Sequence, residues 1–377
     1  MRILFRVDSG RIIGYGHIRR SLVIATLVSE QIREGERYPI ECLFLSRDHP
    51  ERLVHEFPTY ILPRNNQHLV TSDPDSWLGD DYQSEVKMLV EQVVQADDYL
   101  YIDHYGVNQE WEGAIRPHLK KIVVLDDSGF SKSLPRREAP EGFSKSPQRR
   151  KAPEGFSNNG IFSKQHQCDV LINQADQMKP LAYTGLYLGG LDYAIINPIF
   201  FPYRLKKFHS LDNNGLTLTI ALGSCLDHSI VHRLIVGLDQ GIGKINLIGN
   251  YPKITPNSDH HASIEQYQSL SPNQIAKIYL ESDLAIGAGG VMTLEMIYFG
   301  LPLIVVSVAS NQLAQCHYLK RQRLIKYLGH KHNWSETKLQ KMVHSIIEKI
   351  PCFEHRQRCQ VAVDGCGAQR IVSKLYP

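Results

Sequence analysis

The chain lacks three features that would place it in a specialised class of protein. It has no Cys-x-x-Cys pair among its seven cysteines, no long run of lysine or arginine, and no window that approaches the apolar length of a membrane span. The missing pairs argue against zinc and favour buried thiols in a reducing compartment. The missing basic runs, with a net charge of +3, argue against nucleic acid as a partner.

Two further patterns bear on cysteine and on location. Cys352, Cys359 and Cys366 recur at a spacing of seven residues, which predicts that they share one helical face. Residues 1–7 show no signal-peptide pattern, because the apolar run is too short and leads into a glycine-rich turn. We therefore expect a cytoplasmic protein without a membrane partner.

The length and the order of apolar runs indicate the architecture. A chain of 377 residues with 42% hydrophobic and 21% charged residues favours a globular α/β protein of two Rossmann-like domains with a cleft between them. The expected parts are an N-terminal domain (1–203), a linker (204–215), a C-terminal domain (216–353) and a last helix (354–377) that possibly crosses back to the first domain.

A glycine-rich turn near the N-terminus is the first candidate site. The apolar run 3–7 predicts a strand, glycines at 10, 14 and 16 predict a turn, and apolar residues at helical spacing follow. Such a turn presents backbone N–H groups and a helix dipole to a phosphate. His17 lies in the first helical turn, where the dipole favours a neutral imidazole suited to general base catalysis. The alternative is a tight turn with a capping histidine.

More polar side chains follow the predicted strands of the first half. Parallel strands place their ligands at their carboxyl ends, so these side chains converge on one edge of the sheet. They are His17, Asp103, His104, Tyr105, Asp126 and Asp127. Asp126 and Asp127 also fit a role as turn caps, and His104 and Tyr105 also fit a role as partners of buried polar groups.

The segment 129–165 contains two copies of a thirteen-residue repeat and the start of a third. The copies begin Gly129-Phe-Ser-Lys-Ser and Gly142-Phe-Ser-Lys-Ser, and they are rich in proline, serine and charge. Too few apolar residues recur to bury a core, which predicts an exposed and mobile insertion.

The second half repeats the strand, glycine turn and helix pattern twice. A strand at 216–222 leads into Gly223 and Ser224, and a strand at 283–287 leads into Gly289 and Gly290. The second turn favours phosphate again, Thr293 can add a hydroxyl donor, and Glu295 can accept both hydroxyls of a ribose. Glu295 also fits a role as a helix-dipole acid. Two glycine turns, one per domain, predict a phosphate-bearing ligand in the cleft.

Taken together, the motifs resemble the pseudaminic acid pathway hydrolases that release UDP from UDP-2,4-diacetamido-2,4,6-trideoxy-β-L-altropyranose. The matching stretches are Arg6-Val-Asp8, Gly14-x-Gly-His17-x-x-Arg20, Asp103-His-Tyr-Gly106, Asp126-Asp127, Asp169-Val-Leu-Ile-Asn-Gln174, Gly287-Ala-Gly-Gly-x-x-Thr-x-Glu295, Gly300-Leu-Pro302, Asn311-Gln312 and Asp364-Gly-Cys-Gly367. The chain departs from the family pattern at Cys225, Val291 and Met292, which touch expected nucleotide or sugar contacts.

This resemblance implies a glycosyltransferase-B-like fold and metal-independent hydrolysis at the anomeric C–O bond, without a cofactor. It implies that His17 activates water, that Tyr105 and Asn311 line the sugar side, and that these three residues are catalytic. The expected substrate- or UDP-binding residues are Asp8, Gly14, Gly16, Arg20, Asp103, His104, Asn173, Gly223, Ser224, Gly289, Gly290, Thr293, Glu295 and Gln312.

Two other functions fit the same sequence. A glycosyltransferase of the same fold would pass the sugar of a UDP-sugar to an acceptor instead of water. A non-catalytic binding protein would hold the nucleotide sugar without a base, which the retained His17 disfavours. The expected partner in each case is a small-molecule UDP-sugar. The sequence leaves the oligomeric state open, and a monomer fits it.

Overall fold

The computed structural model describes most of the chain with gaps in several loops. The described residues are 1–30, 40–47, 56–64, 70–71, 73–78, 81–127, 165–180, 182–204, 215–223, 225, 227–238, 241–254, 262–350 and 353–375. Ser224, the linker residues 205–214 and nearly all of the repeat segment 129–165 lie outside these ranges, so the predictions made for them stay predictions.

Seven parallel strands form the first sheet. They are β1 (Arg2–Arg6), β2 (Glu41–Ser46), β3 (Thr59–Ile61), β4 (Tyr99–Ile102), β5 (Lys121–Leu125), β6 (Val170–Asn173) and β7 (Leu186–Gly189). Their order is β3-β2-β1-β4-β5-β6-β7, with every neighbouring pair parallel. The central strands are nearly continuous apolar runs because helices cover both faces of such a sheet.

Among the described residues, three α-helices lie between these strands along the chain. They are α1 (Gly16–Ser29), α2 (Tyr82–Gln92) and α3 (Gln109–Ile115), with 3₁₀ turns at Pro74–Ser76, Arg116–His118, Leu191–Tyr193 and Pro198–Tyr203. Asp81 and Asn108 cap α2 and α3 by accepting backbone N–H groups of the first turn. The β-α order and the parallel pairing bring the strand carboxyl ends to one edge, where the predicted site residues stand.

Six parallel strands form the second sheet. They are β8 (Leu216–Ala221), β9 (Ile242–Ile248), β10 (Ser263–Tyr267), β11 (Leu284–Ala288), β12 (Leu303–Ser307) and β13 (Lys326–His330), in the order β10-β9-β8-β11-β12-β13. The helices of this half are α4 (His228–Val236), α5 (Pro272–Glu281), α6 (Val291–Phe299), α7 (Leu313–Arg321), α8 (Glu336–Ile347) and α9 (Phe353–Ala362), with a 3₁₀ turn at Ser310–Gln312.

Local sequence explains where two of these helices begin and end. Ser271 and Gln274 form a capping box around Pro272 at the start of α5, as the Ser-Pro pair predicts. Helix α6 ends at Gly300, which has a φ of 76°. Only glycine adopts that left-handed conformation without strain, so the helix stops where the sequence predicts.

The last helix, α10 (Gly367–Leu375), packs on the first sheet rather than the second. Ile371, Val372 and Leu375 lie in the core cluster that contains Ile18 of α1. Gly367 meets the first domain so closely that a Cβ there would lie 2.2 Å from the Ala194 carbonyl oxygen. The C-terminal helix therefore completes the core of the N-terminal domain.

The seven-residue spacing of cysteines does not produce one helical face, so that prediction was wrong. Cys359 is buried in α9, whereas Cys366 is exposed beyond the end of that helix at Ala362. Between the two cysteines the chain leaves the helix and turns at Gly365, whose φ is 89°. Residue 352 lies outside the described part of the chain.

No helix within the described ranges is both long enough and apolar enough to cross a membrane.

Candidate active site

The first glycine turn is closed by its own backbone. Gly10 and Gly14 exchange two N–H···O=C bonds, of 3.2 and 2.7 Å, and both have positive φ angles of 146° and 90°. Helix α1 starts directly afterwards at Gly16, and no side chain caps its N-terminus. The N–H groups of its first turn therefore point into the space above the sheet edge, which is the arrangement that binds anions.

His17 is the first residue of a buried chain of charged contacts. Its Nδ1–H donates to Asp103 Oδ1 at 2.6 Å. Arg20 binds both oxygens of the same carboxylate, with Nε 2.6 Å from Oδ2 and Nη2 2.7 Å from Oδ1, and its Nη1 reaches Asp127 Oδ2 at 2.5 Å. Because the carboxylate fixes the proton on Nδ1, the lone pair of His17 lies on Nε2. That nitrogen is the one able to take a proton from water.

Opposing effects act on the two acids of this chain. Burial acts to raise the pKa of Asp103, but the Arg20 charge and the hydrogen bonds from Arg20 and His17 outweigh it and hold that pKa below its usual value. Burial raises the pKa of Asp127 even though Arg20 opposes the change. Asp103 therefore stays a carboxylate that can orient His17 and stabilise an imidazolium.

Two aromatic rings enclose the imidazole. The ring centroid of Tyr105 lies 4.5 Å from that of His17, and the centroid of Trp77 lies 5.7 Å away, both edge to face. Burial raises the pKa of Tyr105, although Arg20 opposes this, so the phenol stays neutral. Trp77 was not anticipated, because a single tryptophan in a polar stretch carries no motif.

Asp8 and His104 contact each other and other protein groups at the strand ends, which is the alternative that the sequence leaves open for His104. Asp8 accepts from the backbone N–H of Arg47 at 2.7 Å and pairs with Arg6 Nη1 at 2.9 Å, while Arg6 Nε donates to Glu85 at 2.8 Å. His104 donates from Nε2 to Asp8 at 3.0 Å, and its Nδ1 accepts a backbone N–H at 3.2 Å.

Both residues are thus engaged inside the protein. Burial and the Arg6 charge lower the pKa of His104 despite Asp8, which keeps the ring neutral. Burial acts to raise the pKa of Asp8, but Arg6 and His104 lower it below its usual value. The ligand contacts expected of Asp8 and His104 stay predictions. Their contacts hold the ends of β1, β2 and β4 together beneath the glycine turn.

The second glycine turn packs against α7. A Cβ at Gly289 would lie 2.4 Å from Cys316 Sγ and 3.1 Å from Gln312 Cβ, so only glycine fits. Gly290 precedes α6 without a side-chain cap, and the Thr293 N–H donates to the Gly290 carbonyl at 3.0 Å. The N–H groups ahead of Thr293 are the ones that this helix start can offer to an anion. Thr293 differs from the prediction, because its buried hydroxyl donates to the Ala288 carbonyl oxygen. It closes the turn and does not offer that proton to a phosphate.

Glu295 lies one turn into α6 and is only 6% exposed. Burial raises its pKa to about 7, and the positive charge of Arg19 together with a 3.5 Å hydrogen bond from Tyr279 Oη limits the rise. The two glycine turns face each other across the domain interface, since a Cβ at Gly16 would lie 3.1 Å from Val291 Cγ2.

The remaining expected residues lie at strand ends and helix starts. Asn173 Oδ1 accepts the Ala175 N–H at 2.8 Å, and its buried Nδ2 has no partner within the described residues. Gly223 ends β8 with a φ of 63°. Asn311 is half-buried beside Gln312, whose Oε1 accepts the Val308 N–H at 2.9 Å. Within the described ranges, no three His, Cys, Asp or Glu side chains are grouped to hold a metal ion.

Comparisons with known proteins agree with this architecture. No protein-family model matches the chain. A UDP-2,4-diacetamido-2,4,6-trideoxy-β-L-altropyranose hydrolase from Campylobacter jejuni is 25% identical over 238 residues, which are 59% of this chain and 65% of that protein. The match thus spans just under two thirds of the relative's length.

Solved structures extend the likeness to the whole chain. MurG of Acinetobacter baumannii superposes with a TM-score of 0.58 at 13% identity, covering 99% of this chain and 98% of its own. The spinosyn forosaminyltransferase SpnP gives 0.63 at 12% identity, covering 100% and 98%. These matches confirm the predicted α/β fold: two parallel-sheet domains arranged as in the glycosyltransferase-B structures.

Proposed function

We propose that this protein is a nucleotide-sugar hydrolase that releases UDP from UDP-2,4-diacetamido-2,4,6-trideoxy-β-L-altropyranose. The observation that carries the proposal is the His17–Asp103 pair beside an uncapped helix start, with a second uncapped helix start opposite. The pair supplies a general base and the helix starts supply an anion site, which are the two requirements of the reaction. The named sugar comes from the Campylobacter jejuni relative, which bears that activity in its name.

The chemistry follows from the orientation of His17. Water attacks the anomeric carbon while Nε2 takes one of its protons, and Asp103 stabilises the imidazolium that forms. The bond between the anomeric carbon and the β-phosphate oxygen breaks, and its electron pair leaves on UDP. N–H groups at the two helix starts stabilise the charge on the departing diphosphate. The sugar leaves with the water oxygen as its anomeric hydroxyl, and the proton on His17 passes to solvent.

The other expected residues take supporting roles in this proposal. Tyr105 and Trp77 pack against the imidazole of His17. Asn311 lies beside the sugar, and Glu295 accepts hydrogen bonds from the ribose hydroxyls. Asn173 offers a buried amide N–H₂ group without a protein partner among the described residues, which suits a carbonyl oxygen of the substrate.

Isotope labelling of the reaction tests the proposal directly. The protein is incubated with UDP-2,4-diacetamido-2,4,6-trideoxy-β-L-altropyranose and other UDP-sugars in ¹⁸O-labelled water, and both products are weighed by mass spectrometry. Label in the free sugar is the expected result. Label in UDP would show attack at phosphorus and would refute the mechanism. UDP binding without release from any sugar would refute hydrolysis altogether.

A glycosyltransferase is the second candidate, and the solved structures favour it. The proteins that superpose over nearly the whole chain include some that are glycosyltransferases by name, such as SpnP and the glycotransferase of kitacinnamycin. In that case the acceptor hydroxyl replaces water as the partner of His17 Nε2. Sugar transfer to an added acceptor in the same ¹⁸O experiment, without label in free sugar, would select this function.

A further inference from the structure

Helices α1 and α6 approach each other at their N-termini, and the approach involves the first turn of each helix. The first point of contact is Gly16 against Val291, whose Cγ2 would lie 3.1 Å from a Cβ at position 16. Residues three or four positions further along a helix lie on the same face. Arg19 and Glu295 occupy those positions on α1 and α6, so helical spacing places both residues on the facing sides of the two helices, one turn beyond the glycine contact.

The electrostatics agree with this placement. The charge of Arg19 acts on the carboxylate of Glu295 and on the phenol of Tyr279, and in both cases it lowers the pKa. Arg20, the next residue, points into its own domain and binds Asp103. Neighbouring residues in a helix are about 100° apart, so the two arginines lie on different faces of α1. Arg19 is half-buried, and its partner acid belongs to the other domain.

We propose that Arg19 is a positioning residue that keeps the Glu295 carboxylate ionised and directed at the ribose of a bound nucleotide across the domain interface. The proposal rests on the proposed function, since it takes the nucleotide of that site as its ligand. It assigns to the N-terminal domain a part in nucleotide binding that the second glycine turn does not supply alone.

The physical reason is the acceptor chemistry of the acid. An ionised carboxylate accepts hydrogen bonds on both oxygens, whereas a protonated one turns one oxygen into a donor. Burial raises the pKa of Glu295 to about 7, so the acid is balanced between the two forms near neutrality. The groups that face it are Arg19 from α1 and Tyr279 from α5, while α9 approaches the far end of α6 with Arg356 beside Gly300. Arg19 is therefore the charge that decides the balance.

The test is the pH dependence of UDP binding, measured by titration calorimetry from about pH 6 to pH 9. An opposite charge at close range shifts a pKa by about one to three units. Arg19→Met should therefore move the binding profile to higher pH by about one unit or more, and weaken UDP binding near pH 7 by about fivefold or more. Arg19→Lys should restore most of the affinity because it keeps the charge.

Arg358→Met is the matched control, because Arg358 is exposed on α9. Arg358→Met removes one positive charge, as Arg19→Met does. The ionisation of UDP itself changes the binding profiles of the two variants in the same way. An unchanged profile in Arg19→Met, or loss of affinity by the same factor at every pH, would overturn the proposal. Tighter UDP binding would also overturn it, since Arg19 would then be competing for the ribose position. Absence of UDP binding by the unaltered protein would instead count against the proposed function.

Discussion

At the residue scale, the orientation of His17 decides what the site can do. Asp103 holds Nδ1, so Nε2 is the only ring nitrogen available to a substrate. Arg20 in turn donates two hydrogen bonds to the Asp103 carboxylate. The same guanidinium also contacts Asp127, so two carboxylates balance its charge. The base therefore depends on a buried relay of four side chains, and removing different members of it should have different effects.

We expect His17→Ala to abolish UDP release while leaving UDP binding nearly intact. In the proposed function the glycine turns and Glu295 hold the nucleotide, whereas loss of the imidazole removes the proposed general base, a contribution of about 10²–10⁴ in rate. UDP release assays and calorimetry with UDP measure the two effects separately. His232→Ala on the exposed face of α4 is the control and should retain full activity. Loss of UDP binding together with activity would mean that His17 is a phosphate contact.

Asp103→Asn should reduce stability as well as activity. The substitution removes one of the two carboxylates that neutralise the buried Arg20, and breaking a buried ion pair costs about 3–5 kcal/mol. Urea denaturation followed by fluorescence measures the change. Asp97→Asn, at an exposed site in a turn, should stay within about 0.5 kcal/mol of the unaltered protein. Equal stability of both variants would show that Asp103 does not neutralise Arg20.

At the scale of elements, the central strands were predictable and the edge strands were not. The sequence predicts β1, β5, β8 and β11 because each is an apolar run followed by a glycine or an acid. It does not predict β3, β7, β10 or β13, which form the four edges of the two sheets. Edge strands are half-exposed and carry mixed residues, as the exposed Leu186 and Glu265 illustrate, so their pattern does not stand out from a loop.

The site was predictable to a similar extent. The convergence of His17, Asp103 and Tyr105 follows from parallel topology, because strand ends share an edge. The hydrogen bonds of the His104 and Thr293 side chains to nearby backbone groups do not follow from the topology, because they depend on the geometry of each turn. Trp77 and the half-buried Arg19 contribute through tertiary contacts that no spacing in the sequence encodes.

His166 joins the two ends of the segment that contains the repeats. Its Nδ1 binds Glu112 at 2.7 Å and its Nε2 lies 3.3 Å from Asp126, which precedes the segment. Burial acts to lower the pKa of His166, but the two acids outweigh it and raise that pKa to about 9. A histidine with a raised pKa stabilises the fold fully below its unfolded value of 6.5, and loses that contribution as the pH rises through 9.

We expect His166→Gln to flatten the pH dependence of unfolding between 6.5 and 9. The lost stability at the acidic end is on the order of 3 kcal/mol, since each pKa unit corresponds to about 1.4 kcal/mol. Urea denaturation at several pH values measures this change. His344→Gln, at an exposed ion pair on α8, should leave the slope unchanged. An equal slope in the unaltered protein and His166→Gln would contradict the assignment.

Deletion of residues 131–156 should leave the protein folded and active. The reason is the composition of the repeats, which have too few apolar residues to form part of a core. Solubility, thermal unfolding and UDP release measure the outcome. An insoluble or inactive deletion would show that the repeats are integrated into the fold.

At the scale of the whole molecule, α10 couples the two halves of the chain. It leaves the second domain after α9 and fills the core beside α1. Leu375→Ala should therefore destabilise the N-terminal domain by about 2–5 kcal/mol, as buried leucine truncations do. Urea denaturation measures it, and Val361→Ala, 77% exposed on α9, should change stability by less than about 0.5 kcal/mol. If the two variants were equally stable, α10 would not contribute to the core.

The path of α10 also has a mechanical consequence. The chain passes between the two domains twice, after Arg204 and again before α10, and Arg204 ties the two crossings by donating to the carbonyls of Asp364 and Val363 at 2.7 and 3.3 Å. Two connections joined at one point restrict the relative motion of two domains more than a single linker does, so we expect the domains to move about this junction. If the proposed reaction needs the two domains to open, we expect the rotation to take place about the Arg204 junction, and closure to return His17 and the second glycine turn to the same relative position.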